Sequence, residues 1–250
     1  MISGSTTGND GKIRDGGMTL YKAENGEELF HVDSGRDTGR GMMANAGYGD
    51  GYFELWGSGN YVSYGGEDVS GGSYSPASTN QRIFWDGDTY DELLDGTGAS
   101  DSGSRIAIND SKGRIATFSD VLTNNGTKNN PCLIADLFGD WREEFVARSS
   151  DNSSLFVYTT TIPTEHRLYT LMHDRTYRMQ AACQNAGYNQ PPHIGYYINE
   201  ENNEADTRKY AAYISTVHNG EKSVRTKNTD KPGTPTDTPD PTESAAASPT

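Results

Sequence analysis

Four carboxylates fall within nine residues of the stretch CLIADLFGDWREEFV (residues 132–146): Asp136, Asp140, Glu143 and Glu144. Like charges so close repel one another unless a cation or an arginine offsets them. Hard oxygen donors around a glycine turn suit Ca²⁺, which accepts six to eight oxygens in irregular geometry. No Cys/His pair stands nearby to favour a softer metal. The competing reading is a solvated turn in which Arg142 or Arg148 pairs with the acids. Asp86, Asp88 and Glu92, in WDGDTYDELL, form a sparser set of the same kind.

A second chemistry is offered by NNGTKNN, residues 124–130. Asn125, Gly126 and Thr127 place neutral donors and acceptors at a tight turn, which suits sugar hydroxyls. Lys128 among them can bind a uronate carboxylate, or take a proton when its amine is neutral. A plain surface turn fits the composition as well. Arg36 and Arg40, in SGRDTGRGM, sit among glycines that shield a guanidinium little; arginine grips a carboxylate at two points, and a solvated turn arginine is the alternative. Tyr188, in the rigid loop YNQPPH, can stack on a sugar ring. His166 and His173 alternate with apolar residues and read as buried strand histidines.

These groups must be held by a framework of short strands. The 250 residues include 29 Gly and 15 Tyr, a composition of strands joined by tight turns. Strands are predicted at GMTLYKA, EELFHVD, YFELWGS, QRIFWDG, RIAINDS, RIATFSD, CLIADLF, EEFVARS, SLFVYTTT, RLYTLMH, IGYYIN and KYAAYISTV. Hairpins are predicted over residues 105–118 and 145–160, and one helix within 176–188, broken by Gly187. Oxygen-bearing residues near glycine followed by an acid recur: Asn45, Asp50, Glu54; Asp86, Asp88, Glu92; Asp136, Asp140, Glu144. The last acids lie 38 and 52 residues apart, the length of a four-stranded propeller blade. Chance repetition in an Asp/Gly-rich chain is the alternative. The fold class expected is all-β, a β-propeller.

With 21 basic and 35 acidic residues the net charge is −14, which disfavours nucleic acid as a partner and attracts cations. No apolar run is long enough to span a membrane. Residues 1–230 are expected to fold, and residues 231–250, KPGTPTDTPDPTESAAASPT, to form a disordered Pro/Thr-rich linker. The N-terminus lacks the basic and apolar regions of a signal peptide. Together these features lead us to expect a fragment of a longer protein. Cys132 and Cys183 fit either a disulfide in an exported chain or two free thiols.

Longer segments carry a family resemblance. NNGTKNNPCLIADLFGDWREE, YTTTIPTEHRLYTLMHD and YRMQAACQNAGYNQPPHIGYY, preceded in the same order by SGRDTGRGMMAN and IFWDGDTYDELLDG, resemble the rhamnogalacturonan lyases of polysaccharide lyase family 11. The similarity runs from residue 15 to about residue 200. It implies an eight-bladed β-propeller studded with Ca²⁺, of which this chain supplies roughly the C-terminal three to four blades. It implies a secreted enzyme that cleaves the rhamnogalacturonan I backbone of pectin by β-elimination, monomeric at full length, with an accessory module beyond the linker. By resemblance, Asn125, Gly126 and Thr127 with Lys128 form the sugar-contacting loop, Tyr188 is its aromatic partner, and Arg40 faces the groove. The roles expected are Lys128 as base and Arg40 as stabiliser of the carboxylate or enolate. The fragment alone is expected to be inactive and poorly soluble. Two departures stand out: family propellers are more than twice as long, and Asn45 replaces an Asp of the family's DIDP segment. A non-catalytic Ca²⁺-stabilised propeller that binds a glycan or a protein is the competing class.

Overall fold

The computed structural model describes residues 5–7, 13–15, 17–32, 40–47, 53–57, 60–64, 79–98, 103–126, 128–186, 189–196 and 198. The chain separates into two units, residues 1–214 and 215–250, and every described residue lies in the first. The strand expected at KYAAYISTV and the linker expected at 231–250 lie outside the described residues.

The described residues are mostly β. Two short antiparallel pairs come first, β1 (Ser5–Thr7) with β2 (Ile13–Asp15) and β3 (Met18–Tyr21) with β4 (Glu28–Val32). A three-stranded antiparallel meander follows: β5 (Gly41–Ala44), β6 (Phe53–Gly57) and β7 (Asn60–Tyr64). A four-stranded meander is next: β8 (Gln81–Ile83), β9 (Glu92–Thr97), β10 (Arg105–Asp110) and β11 (Gly113–Phe118). The last sheet holds β12 (Val121–Leu122), β13 (Leu133–Ala135), β14 (Glu144–Ser149) and β15 (Leu155–Tyr158). Both expected hairpins form, β10–β11 and β14–β15. The first turns on Asp110, whose Oδ1 accepts the N–H groups of Lys112 and Gly113, each at 2.7 Å. Gly113 sits there at φ 142°, a conformation costly to any residue with a Cβ.

Consecutive sheets pack face to face. Leu93 of β9 joins Met42, Ala44 and Trp56 of the preceding meander. Its neighbour Leu94 points the other way, as strand alternation demands. There, with Ile106 and Ile108, it meets Val121, Ile134, Phe145 and Ala147 of the last sheet. Phe118, Phe145 and Tyr158 close this core, with ring centroids 4.7–4.9 Å apart.

One acid repeats across the three larger sheets. Glu54, Glu92 and Glu144 stand at or near the start of the second main strand of each, and all are buried. Each turns its Oε2 back onto the connection it has just left. Glu54 accepts from Ala46 N at 2.8 Å, Glu92 from Trp85 N at 2.6 Å and Asp86 N at 3.2 Å, and Glu144 from Leu137 N at 2.8 Å and Phe138 N at 3.1 Å. The spacing counted in the sequence is therefore a repeated turn clamp.

Helix α1 spans Arg175–Cys183, with Asp174 as N-cap accepting from Thr176 N at 3.0 Å. It starts one residue before the expected stretch and ends well short of Gly187. Gln184 and Asn185, which would extend it, send their side chains to Ile134 and Cys132 instead. The strand expected at RLYTLMH does not form: residues 159–170 carry no ladder, and Leu171–His173 is a 3₁₀ turn. The anchors there are individual. Thr164 Oγ1 donates to Gly87 O at 2.6 Å, and Thr170 Oγ1 and Leu171 N donate to Asp136 Oδ2 at 2.7 and 2.8 Å. The N–H groups of Ile162, His166 and Leu171 go to the side chains of Thr160, Thr164 and Asp136, so they are not offered to a ladder. Nor do the described residues of IGYYIN form a strand; Tyr196 and Ile198 pack instead with Phe84, Trp141, Leu171 and Tyr177. Cys132 and Cys183 are free thiols. Among the described residues, no helix is long and apolar enough to cross a membrane.

Candidate functional site

The loop holding Lys128 is an excursion from what would otherwise be one strand. β15 pairs with β14 at residues 145–148 and takes one edge. β12 and β13 therefore share the other edge: Val121 and Leu122 lie opposite Ser149 and Arg148, and Leu133, Ile134 and Ala135 opposite Val146, Phe145 and Glu144. Residues 123–132 leave the sheet and return to the same edge, closed at the base by Asn124. Its N–H donates to Asn130 O at 2.7 Å, and its Nδ2 to Pro131 O at 3.1 Å. Within the loop, Asn125 Oδ1 accepts the N–H of Lys128 at 2.6 Å. Asn129, at φ 50°, lies over Gly96 so closely that a Cβ at Gly96 would overlap it.

A buried group of polar side chains ties this loop to three other segments, at Arg40, at Asn80 and Gln81, and at Asn189. Arg40 Nη2 donates to Asn189 O at 2.8 Å, and Nη1 to Asn80 O at 3.1 Å. Asn189 Nδ2 donates to Pro131 O at 3.2 Å. Gln81 Nε2 reaches Asn130 Oδ1 at 3.3 Å and Asn189 O at 3.4 Å. The structure thus brings together Arg40, the loop of Asn125, Gly126 and Lys128, and the loop that begins at Asn189. Thr127 and Tyr188 lie outside the described residues.

The acids that first suggested a metal part company. Asp136 accepts from Gly139 N at 2.7 Å, besides Thr170 and Leu171. Asp140 pairs with Arg142 at 2.6 Å, the neighbour considered as its partner from sequence. Glu143, just before β14, and Glu144, its first residue, have separate partners. Glu144 clamps its turn, while Glu143 meets Arg82 at 3.2 Å, Phe84 N at 2.9 Å and the Tyr177 hydroxyl at 2.6 Å. Burial pushes the pKa of Glu144 up, although the bonds from Leu137 N, Thr159 and Phe138 N work against this.

Arg82 also pairs with Asp91 at 3.0 Å and donates to Pro192 O. Burial raises the carboxyl pKa of Asp91 and Glu143, with the guanidinium offsetting it only in part. His193 beside this network is held neutral, its pKa lowered to about 3 by burial and by Arg82. A cavity of about 50 Å³ lies here, lined by Asn45, Arg82, Asp91 and His193 among others. It has room for a few waters, not for a polysaccharide.

Among the described residues, the carboxylates that do converge are Asp86, Asp88 and Glu92, with ligand atoms all within 4.8 Å of one another. Burial, then the neighbouring Asp86, drives the pKa of Glu92 well up. A cation among these oxygens would relieve that repulsion, and an all-oxygen set fits Ca²⁺.

Sequence reasoning missed Gln81 and Arg82. Their signal was two adjacent long polar side chains in the otherwise apolar strand QRIFW. A strand residue of that kind, buried, must have a dedicated partner.

Comparison with known proteins bears on all of this. Residues 6–208 match the family described as "Rhamnogalacturonan lyase family 11, C-terminal domain". The rhamnogalacturonan endolyase YesW of Bacillus subtilis (strain 168) is 45% identical over 184 residues, covering 74% of this chain and 29% of that protein. The rhamnogalacturonan exolyase YesX of the same organism is 44% identical over 196 residues, covering 73% of this chain and 32% of that protein. The crystal structure of YesW superposes with a TM-score of 0.65, covering 74% of this chain and 31% of that one. The chain thus spans about a third of the length of the relatives it matches.

Proposed function

The chain belongs to rhamnogalacturonan lyase family 11, and from that we propose that it supplies the C-terminal part of a lyase that cleaves the rhamnose–galacturonate backbone of rhamnogalacturonan I by β-elimination. The observation that carries this reading is the meeting of Arg40, loop 123–132 and Asn189 at one buried set of amides. These are the segments whose sequences resemble the family's groove. The fold we propose is part of a β-propeller, supported by consecutive meanders stacked face to face and by the repeated glutamate clamp. Secretion follows from a polymeric substrate that a cell does not take up whole.

In β-elimination a base removes the C5 proton of galacturonate. The C5–H electron pair becomes the C4=C5 double bond. The C4–O bond breaks, its electrons stay on the oxygen that leaves with rhamnose, and that oxygen is protonated. Lys128 is assigned the first step, its amine taking the proton. Asn125, Gly126 and Thr127 hold sugar hydroxyls, and Tyr188 stacks on a ring. Arg40 supplies positive charge toward the galacturonate carboxylate, which must accept density as C5 loses its proton. Its two bonds to main-chain carbonyls fix the position of the guanidinium. Asp86, Asp88 and Glu92 would hold a Ca²⁺, which when bound supplies the charge that lets three carboxylates share one turn.

The test is Lys128→Ala in the full-length protein, with the unsaturated product followed by its ultraviolet absorbance. The expected result is a loss of about 10²-fold or more in kcat. Near-normal turnover removes Lys128 from the mechanism, and binding without product formation in the unmodified protein supports a non-catalytic glycan-binding propeller.

A further inference from the structure

We infer that Gln81 and Asn189 are positioning residues: they hold the Lys128 loop, Arg40 and the loop beginning at Asn189 in register, acting on the reaction without touching substrate. The inference rests on the reading of residues 123–132 as the substrate-holding loop.

The segments that meet here come from far apart, Arg40 lying 149 residues from Asn189, and Gln81 lying 49 from Asn130 and 108 from Asn189. Two of them have no ladder to place them. Residues 123–132 leave the sheet, and residues 189–194 have no regular structure. What fixes them to one another is side-chain amides, 0% exposed at Gln81 and 4% at Asn189. Gln81 Nε2 addresses Asn130 Oδ1 on one loop and Asn189 O on the other. Asn189 Nδ2 spans Pro131 O at 3.2 Å and Asn185 Oδ1 at 3.0 Å, and its carbonyl receives Arg40.

Stability alone does not account for an amide at position 81. Among the described residues, the buried Gln81 Oε1 meets no hydrogen-bond donor, a cost that an apolar side chain of the same shape would avoid. Its strand neighbour Ile83 shows that such residues fit in β8. The loop also has its own closure at Asn124, so loss of Gln81 shifts the loop as a body rather than unfolding it. A displacement of that kind acts on kcat, because a proton acceptor misplaced by about 1 Å can cost about 10²-fold.

The test uses the full-length lyase and compares Gln81→Met, Lys128→Ala and the double variant. Ile106→Val, in the core away from the site, serves as a control for lost stability. We expect Gln81→Met to fold and to lose about 10²-fold in kcat, while Ile106→Val keeps its kcat. We expect the double variant to be no slower than Lys128→Ala, because misplacing a group and removing it do not add. Asn189→Ala provides the same readout if Gln81→Met does not fold. It removes the donor to Pro131 O, keeps the main-chain carbonyl that receives Arg40, and should lose kcat with the same non-additivity. Unchanged kcat in Gln81→Met, or in Asn189→Ala where it must stand in, while Lys128→Ala is inactive, overturns the positioning role alone. So does a double variant whose losses multiply. Normal turnover in Lys128→Ala overturns the underlying reading of the loop, and the inference with it.

Discussion

Gln184 closes the free edge of β13 as a neighbouring strand would: its Oε1 accepts Ile134 N–H at 2.7 Å and its Nε2 donates to Ile134 O at 2.8 Å. Asn185 continues the pairing by donating to Cys132 O at 2.6 Å. Two side chains after the helix thus satisfy a strand edge that would otherwise be buried unpaired. Gln184→Met keeps the volume and removes both bonds. It should destabilise the protein by roughly 2 kcal/mol or more, since Ile134 keeps a buried donor and acceptor with nothing to meet. Urea unfolding measures this, and an unchanged midpoint would show that water takes over the edge.

Arg82 pairs with two buried acids, Asp91 at 3.0 Å and Glu143 at 3.2 Å. Arg82→Met should cost about 3–5 kcal/mol, because Asp91 and Glu143 are then left charged and unpaired. Adding Asp91→Asn and Glu143→Gln to Arg82→Met should recover much of the loss, as apolar and neutral replacements of buried ion pairs often do. Urea midpoints of the single and triple variants test this; a triple variant less stable than the single would contradict it.

The same network sets a pH dependence. Asp91 and Glu143 have folded-state pKa values raised above their ordinary 3.8 and 4.5, with burial as the main cause. Over the window from those ordinary values up to the raised ones, the native state holds more protons than the unfolded state. Stability contributed by these groups therefore falls as pH rises through that window. Asp91→Asn should make the plot of unfolding free energy against pH shallower there. An unaltered slope would assign the dependence to other acids.

The cluster of Asp86, Asp88 and Glu92 predicts a metal response. Ca²⁺ at about a hundred times its Kd should add roughly 2.7 kcal/mol of stability, removable by chelation. Asp88→Asn should abolish most of that increment while leaving the metal-free Tm little changed. A Tm that ignores Ca²⁺ in the unmodified protein would dismiss this site.

The sequence by itself determined a good deal. Alternation and turn residues placed most of the strands, because side-chain period and glycine or asparagine chemistry are local properties. The recurring acids at 54, 92 and 144 were visible because the clamp each makes is closed within one connection. Tertiary structure decided what two of the neighbouring acids do. Asp140 and Glu144 find Arg142 and Leu137 within their own stretch, whereas Asp136 and Glu143 meet Leu171 and Arg82, 35 and 61 residues away. It also decided that RLYTLMH, whose pattern suits a strand, is pinned by Asp136 instead, with Thr164 just before it held by Gly87. Above all it decided that Gln81 and Asn189, 108 residues apart, share a hydrogen bond with the base of the Lys128 loop close by. A buried amide declares in sequence only that it needs partners, and which partners it finds is set by the packing of segments that the chain does not connect.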